Sequence, residues 1–422
     1  MSADPSTPIP VTDRLVIDFD HYSPEYRDNW PAICDENLAK CPVAHSPHHG
    51  GFWVVSDYVS VTRVMRDDTA FASIHHAEDP DTERPDDGTP RWPVARVATE
   101  FDPPLHSRYR RLLNPYFAPT AADELEPFVR QTVDALLDRV CASGRIDFVR
   151  DLGNPVPMLA VMKLVGLPLE HWQRYAEPLH GLLAFPTGGA EHRRCVAAVE
   201  QLGVELRALV PARREQPGEG LLGALARATV EDRRLTDDEV AQVALLVLQG
   251  GVDPTTALLG NALAWLAEHP DQRQRLIDRP PLLEHATEEF LRAFTPVPAL
   301  ARTATADVRL AGQQLRAGDR VLMSFAAANR DPDVFPDPGE VKLDRAPNPH
   351  TSFGLGLHRC IGSNLARSWF RLMLGRVLER MPDYTVDRAA ARRYESIGIV
   401  NGFVDLPATF TPSEPVGASL PG

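Results

Sequence analysis

Apolar residues recur at helical spacing through most of the middle of the chain. Within the segment 127–141, the apolar positions that fall on one helix face are Val129, Val133, Leu136, Leu137 and Val140. Residues three and four apart share one side of a helix, so this pattern predicts a helix that packs on a core. Similar patterns predict helices over residues 159–167, 191–210, 221–229, 240–269, 282–293 and 361–381.

The longest of these predicted helices has a marked beginning. Thr236 precedes it and Glu239 follows three residues later. A threonine hydroxyl at this position accepts from a first-turn N–H, and the glutamate reaches back to the threonine N–H. This pair therefore predicts a capping box that opens the helix.

Strand and turn residues concentrate toward the two ends of the sequence. Short strands are predicted at 51–56, 308–310 and 321–323, a helix at 57–67, and weak strand alternation near the end of the chain. Proline-rich coil is predicted at 329–352, a long irregular loop at 75–100 and a flexible tail at 1–12. With no internal repeat or linker, we predict a single domain over 13–422, mainly α with smaller β-rich portions.

Composition narrows the classes of partner. The 422 residues include 58 acidic and 44 basic side chains, a net charge of −14, which disfavours general binding to nucleic acid or an anionic membrane. Five cysteines lack paired spacing, so a disulfide framework is not expected. No run of 18 apolar residues and no leader-like segment is present. The expectation is a soluble, cytoplasmic protein with no nucleic-acid or membrane partner.

The strongest chemical signal is the glycine-rich stretch 352–362. Its glycines allow tight turns and close approach to a flat partner, and Cys360 follows them at the predicted start of a helix. Helix-end amides favour a thiolate and can donate to a metal-bound sulfur. Taken alone, a lone cysteine is more often buried and inert.

The spacing within this stretch overturns that plain interpretation. The residues that carry the resemblance are Phe353, Gly356, His358, Arg359, Cys360 and Gly362. Together they resemble the haem-binding stretch of the cytochrome P450 family, and the resemblance to its soluble bacterial branch extends over roughly residues 15–412. It implies the single-domain P450 fold, a long central helix over haem b, Cys360 as the iron ligand, and Phe353 and Gly354 beside the cofactor.

Other positions support the resemblance. Glu289 and Arg292 match the family's Glu-x-x-Arg pair, which Arg345 joins. The residues that match the family's contacts to the haem propionates are His106, Arg110, Arg302 and His358. Histidine and arginine supply the donors that a carboxylate requires.

The long helix departs from the family pattern at one position. Gly250, Gly251 and Asp253 match a small pair and an acid that serve oxygen and proton delivery, but Pro254 occupies the usual threonine position. Proline cannot supply a hydroxyl and should kink or open a helix. Thr255 is the nearest alternative donor, although one residue advances the helix by about 100°.

The resemblance implies a monooxygenase. A thiolate ligand favours O–O cleavage, so the protein should use O2, two electrons and protons to hydroxylate or epoxidise a small-to-medium, largely apolar molecule in secondary metabolism or catabolism. Electrons should come from a separate ferredoxin and ferredoxin reductase. The candidates for a docking face are Arg110, Arg111, Arg359 and Arg367. Segments expected to line the substrate pocket are 84–100, 171–190 with Phe185, 245–252, 297–300 and 399–403.

Two alternatives keep the haem. Pro254 motivates an atypical oxidase that performs oxidative coupling, desaturation or peroxide-driven chemistry. A non-catalytic haem-binding sensor is the other. Two further patterns are discounted: the glycines at 218–223 lack a preceding strand, and His45, His48 and His49 near Cys41 are expected to be solvated rather than metal-bound.

Overall fold

The computed structural model of the protein describes residues 14–73, 99–230 and 232–421. The predicted tail at 1–12 and most of the predicted loop at 75–100 lie outside them. The α-helices within the described residues are α1 (Pro24–Lys40), α2 (Tyr58–Arg66), α3 (Leu105–Leu113), α4 (Pro119–Val140), α5 (Pro155–Val165), α6 (Trp172–Ala184), α7 (Ala190–Glu215), α8 (Leu221–Arg227), α9 (Asp237–Glu268), α10 (Pro270–Asp278), α11 (Leu283–Phe294), α12 (Phe325–Ala328) and α13 (Ser363–Arg380).

The strands are short and join distant parts of the sequence. They are β1 (Val43–Ser46), β2 (Phe52–Val55), β3 (Phe71–Ala72), β4 (Arg145–Asp147), β5 (Thr229–Val230), β6 (Arg233–Arg234), β7 (Ala299–Ala304), β8 (Val308–Leu310), β9 (Gln313–Leu315), β10 (Arg320–Ser324), β11 (Thr385–Val386), β12 (Arg392–Arg393), β13 (Phe403–Asp405) and β14 (Pro407–Thr409). The largest sheet has the order β1-β2-β10-β7-β3. Trp53 of β2 pairs in parallel with Val321 of β10, whereas the other pairs in this sheet are antiparallel.

Helix α9 runs through the centre of the helical region. The Glu239 N–H donates to the Thr236 hydroxyl over 3.1 Å, and the Thr236 N–H donates to the Glu239 carboxylate over 2.7 Å, which confirms the predicted capping box. The helix packs against α5, α7, α8, α11 and α13. It is long and apolar enough to cross a membrane, but 72% of its most apolar window is buried inside the protein, as expected of a core helix.

The predicted helices are confirmed with shifted ends. The predicted segment 127–141 is the second part of α4, which begins at Pro119 and includes Pro127. After α4 and the short 3-10 turn Cys141–Ser143, Gly144 adopts a φ of +66°, in the left-handed region that commonly ends a helix. Helix α9 continues through Pro254, so the predicted opening does not interrupt it. Packing against neighbouring helices holds the segment helical, although the proline supplies no N–H to the Gly250 carbonyl.

Candidate active site

Cys360 ends a tight turn that precedes α13. Gly354 and Gly356 adopt φ values of +64° and +70°, a region that glycine occupies without steric cost. Gly356 also lies against α2, where a Cβ would come within 2.5 Å of the Met65 carbonyl oxygen. The Cys360 N–H donates to the Phe353 carbonyl oxygen over 2.7 Å. The glycines thus let the turn pack on α2 and fix the position of the sulfur.

The sulfur of Cys360 lies deep among protein atoms, yet the residue is accessible, so it borders an interior space. Burial raises the pKa of the Cys360 thiol, and it outweighs the Gly362 N–H and the guanidinium groups of Arg110, Arg359 and Arg367. Because α13 begins only at residue 363, the predicted helix-end stabilisation of the thiolate is partial. Coordination of a cation is the interaction that would hold this sulfur as a thiolate.

Phe353 packs against Arg367, which an ion pair with Glu288 holds in place. The guanidinium carbon of Arg367 lies 4.5 Å from the centre of the Phe353 ring. Arg367 also donates two hydrogen bonds to Glu288, at 2.7 and 2.6 Å, and His350 lies 3.1 Å from the same carboxylate. Burial opposes ionisation of Glu288, but these partners prevail and lower its pKa to about 2. Arg367 is therefore committed to an internal pair, which weakens its predicted place on a docking face.

A buried ionic cluster supports the chain that leads to Cys360. Glu289 on α11 accepts two hydrogen bonds of 2.8 Å from Arg292, and Arg345 donates to both of its oxygens at 3.1 and 3.0 Å. Arg292 also donates to the carbonyl oxygens of Asn329 and Pro338. The predicted trio is confirmed. It joins α11 to the coil at 329–345, because both guanidinium groups bind the one carboxylate and also donate to backbone carbonyls of that coil.

Four basic side chains converge in a second cluster, in which His106 is buried and the other three are half-buried. His106 and His358 have ring centres 4.1 Å apart. Burial, followed by the mutual repulsion of the cations, lowers the pKa of both rings, that of His358 to about 3. Burial also lowers the pKa of Arg110 and Arg302. Asp102 is the nearby acid, with one carboxylate oxygen 3.9 Å from His358 Nε2.

This cluster tests whether the protein fits a haem. His106 Nδ1 and His358 Nε2 are buried and have no hydrogen-bond partner among the described residues. Repelling cations and unpartnered ring nitrogens suit a ligand that carries two carboxylates, as haem does. Cys360, an exposed residue, supplies the sulfur ligand that the iron of the same group requires. The residues present therefore fit haem, and all of the predicted propionate contacts lie in this cluster.

The glycine pair of α9 serves two different purposes. A Cβ on Gly250 would have no heavy atom of the described residues within 4 Å, and Gly250 is exposed in the middle of a largely buried helix. A Cβ on Gly251 would instead come within 2.5 Å of a methyl carbon of Val161 on α5. Gly250 thus borders open interior space, whereas Gly251 permits close packing of α5 on α9.

Asp253 is buried and, in the part of the chain that the structure describes, has two partners from outside α9. His180 Nδ1 on α6 lies 2.8 Å from Asp253 Oδ1. The Tyr394 hydroxyl donates to the same oxygen over 3.4 Å and lies 3.3 Å from His180 Nδ1. Burial and the nearby carboxylate raise the pKa of Tyr394 well above its usual value, which keeps this phenol protonated. The three side chains form one hydrogen-bonded group, here termed the Asp253 triad.

The threonines after Pro254 are used within the fold. The Thr255 hydroxyl donates to the Gly251 carbonyl over 3.2 Å. The Thr256 hydroxyl donates to the carbonyls of Gly153, at 2.6 Å, and Val252, at 3.1 Å. Thr255 therefore has a structural partner one turn back on its own helix, as expected for a threonine inside a helix. In this arrangement the hydroxyl that lies within reach of Asp253 belongs to Tyr394.

Sequence reasoning missed His180 and Tyr394. They lie 73 residues before and 141 residues after Asp253, and neither belongs to a recognisable motif. The one sequence feature connected with Tyr394 is Gly402, a glycine at which a Cβ would come within 2.9 Å of the Tyr394 ring and 3.0 Å of Ala257. This glycine lets the loop before β13 pack on both the Tyr394 ring and α9.

The segments predicted to line the substrate pocket contain both exposed and buried apolar residues. Phe185, directly after α6, and Leu300 on β7 are 40% and 49% exposed, although both are large apolar residues. Leu300 and Arg302 lie two apart on β7 and so share one face of the strand. Leu245 and Val252 are buried. The predicted contact loop at 84–98 lies outside the described residues.

Comparisons with known proteins identify the family of this chain. The cytochrome P450 family model matches residues 213–382. The chain is 34% identical over 330 residues to a steroid C26-monooxygenase of Mycolicibacterium smegmatis, covering 78% of this chain and 82% of that protein. It is 36% identical over 340 residues to nocardicin C N-oxygenase of Nocardia uniformis, covering 80% and 83%. The protein belongs to the cytochrome P450 family.

A solved structure gives the same result for the fold. The crystal structure of CYP109E1 from Bacillus megaterium in complex with testosterone superposes with a TM-score of 0.82 at 29% identity, covering 92% of this chain and 99% of that one. The predicted fold class, mainly helical with small sheets, is confirmed. Family membership makes the protein a haem-iron monooxygenase, an oxidoreductase that uses O2 and a small-molecule substrate.

Proposed function

We propose that this protein hydroxylates or epoxidises a small-to-medium, largely apolar molecule, with electrons from a separate ferredoxin and ferredoxin reductase in the cytoplasm. The observation that carries the proposal is the exposed residue Cys360 together with the partly buried cationic cluster of His106, Arg110, Arg302 and His358. The cofactor proposed is haem b. When bound through a thiolate, it supplies the activation of O2.

The residues of the cationic cluster hold the cofactor in this proposal. Arg302 and Arg110 offer charged donors, and the two histidine rings offer neutral N–H donors to the propionates. Phe353 covers one side of the turn, and Gly354 lets the backbone approach closely. Gly356 and the buried trio around Glu289 hold this turn in position, so little ordering is needed when the cofactor binds.

Protons reach the reaction side through the Asp253 triad. Asp253 holds a proton at Oδ1 or passes it on, and His180 Nδ1 replenishes it from α6, where the His180 side chain is 14% exposed. The Tyr394 hydroxyl keeps the carboxylate in place and supplies the hydroxyl that Pro254 lacks. Gly250 leaves room beside the helix, and Thr255 stabilises the backbone at Gly251.

Relatives guide the choice of substrate class. One relative is named for oxidation of steroids, and the CYP109E1 structure contains testosterone. The accessible apolar residues Phe185 and Leu300 suit a similar ligand. We infer a rigid, mostly apolar substrate of about steroid size as the first class to examine.

The function is tested with the purified haem protein and Cys360→Ala. The wild-type protein should show the red-shifted carbon monoxide band of a thiolate-ligated haem, a spectral shift with steroid-sized ligands, and a product that contains one oxygen atom from O2. Cys360→Ala should lose the band and the product. A variant that retains both would disprove the proposal.

Pro254 favours one second candidate, the atypical oxidase. Oxygen-atom insertion and coupling, the fraction of reductant that ends in product, distinguish the two functions. If the wild type inserts oxygen with tight coupling and Pro254→Thr loses coupling, the atypical function is rejected. A desaturated or coupled product from the wild type would establish it instead.

A further inference from the structure

We propose a metal site for a divalent transition ion, outside the haem pocket, formed by Asp20, His21 and His49. One ligand atom of each residue, a carboxylate oxygen and two imidazole nitrogens, lies within 4.8 Å of the others. Two histidines and one carboxylate are a donor set that Zn²⁺, Ni²⁺, Co²⁺ and Cu²⁺ accept, whereas Mg²⁺ and Ca²⁺ prefer oxygen ligands.

The first step in the argument is the state of His21. This residue is 8% exposed, and its Nδ1 is buried with no hydrogen-bond partner among the described residues. Its ring packs near Phe52 and His49, with ring centres 5.4 and 5.5 Å away. An unpartnered polar atom at such a position is costly, and a coordinated cation near these rings would satisfy it.

The second step is the preorganisation of Asp20. The Tyr22 N–H donates to Asp20 Oδ1 over 2.9 Å, and His49 Nε2 lies 2.7 Å from the same oxygen. Ligand atoms around a metal of this class lie about 3 Å apart, given metal–ligand distances near 2.0–2.2 Å. Small side-chain rotations are therefore enough to admit an ion, and the carboxylate already has a backbone donor that orients it.

The surrounding charge is mixed. Next to the site, His48 Nε2 lies 2.5 Å from Asp18 Oδ1, which adds an acidic group. Arg320 acts in the opposite sense, because it donates to the His49 carbonyl oxygen over 3.4 Å. The site therefore suits an ion that forms strong bonds to nitrogen rather than one held by charge alone. The histidines at 48 and 49, expected to be solvated, instead pair with two acids of the segment before α1.

The ligands of the site come from two parts of the fold, and a third part packs against them. Asp20 and His21 precede α1, and His49 lies in the turn between β1 and β2. A Cβ on Gly398 would come within 2.8 Å of the His21 carbonyl oxygen and 2.7 Å of the Tyr22 ring, so the loop before the predicted pocket segment 399–403 rests on this cluster. A bound ion would stabilise the residues on which this loop rests, so the role of the ion would be structural.

The test uses the haem-loaded protein after treatment with EDTA, titrated with ZnCl2 by calorimetry. One equivalent should bind, and the melting temperature should rise by about 2–4 °C at saturating zinc. Asp20→Asn keeps an acceptor for the Tyr22 N–H, and His49→Asn suits the positive φ of +50° at this position. Each should weaken zinc binding at least tenfold, by the usual cost of losing a ligand.

The matched control is His48→Asn, the neighbouring histidine, which should bind zinc like the wild type. The haem absorption spectrum of all variants should be unchanged, which shows that the fold is intact. Zinc binding by Asp20→Asn and His49→Asn with wild-type affinity would overturn the proposal. Absence of stoichiometric binding to the wild type at 100-fold excess of zinc would also overturn it.

Discussion

The two sides of the active site differ in how completely their polar groups are paired. On the cysteine side, the Glu289 carboxylate has Arg292 and Arg345 as partners, and both guanidinium groups also reach backbone carbonyls. On the α9 side, the partners of Asp253 within the described residues are His180 from α6 and Tyr394 from the loop before β13. A closed network maintains one geometry, whereas a chain of single hydrogen bonds can pass a proton. We therefore assign a structural role to the Glu289 network and a role in proton transfer to the Asp253 triad.

Removal of a charge from the closed network should have the largest effect. Arg292→Ala removes one of the two guanidinium groups that pair with the fully buried Glu289 carboxylate, a change that typically costs about 3–5 kcal/mol. We expect loss of haem incorporation and a large drop in melting temperature, measured by haem absorbance per protein and by thermal unfolding. Arg371→Ala is the matched control, because Arg371 on α13 pairs with exposed Glu284 at 3.7 Å. Equal behaviour of the two variants would contradict the assigned role of the trio.

Proton delivery should be the next most sensitive function. Asp253→Asn keeps the shape and loses the acid, so turnover should fall about 100-fold, as is usual for a missing acid–base group, while the ligand-induced spectral shift stays as in wild type. Product formation and O2 consumption per haem measure the effect. Asp238→Asn, on an exposed acid of the same helix, serves as control. If Asp253→Asn turns over at the wild-type rate, protons take another route.

The sequence predicted the network around Glu289 more fully than the hydrogen bonds around Asp253. Glu289, Arg292 and Cys360 occur in compact motifs, because neighbouring positions of one helix or turn must cooperate. The capping box at Thr236 and Glu239 was predictable for the same reason. His180 and Tyr394 reach Asp253 only through tertiary packing of α6 and the C-terminal strands. Helix α9 continues through Pro254 because packing outweighs local preference, which a sequence pattern does not contain.

Acid should weaken the cysteine side through Glu288. Arg367 and His350 outweigh burial and lower the folded-state pKa of Glu288 to about 2, against about 4.5 when unfolded. Its stabilisation is therefore complete above pH 4.5 and is lost as the pH falls toward 2. Allowing for partial exposure, Glu288→Gln should cost about 1–2 kcal/mol at pH 7 and much less near pH 2. Urea unfolding at several pH values measures it, and a pH-independent difference would show that pairing is not the cause.

The Tyr394 hydroxyl should have the smallest effect and the most specific one. Its hydrogen bond to Asp253 is long, at 3.4 Å, so Tyr394→Phe should lower turnover only about 2–5-fold, equivalent to 0.5–1 kcal/mol. Coupling should fall together with turnover if this hydroxyl substitutes for the missing threonine, and Pro254→Thr in the same background should restore part of it.

Tyr384→Phe separates this role from simple packing. Tyr384 also donates to α9, to the Leu263 carbonyl over 2.8 Å, but far along the helix from Asp253. That variant should lose stability and keep its turnover per haem, whereas Tyr394→Phe should do the reverse. If both variants lose stability and keep their turnover, the Tyr394 hydroxyl has a structural role. Proton transfer would then involve Asp253 and His180 without Tyr394.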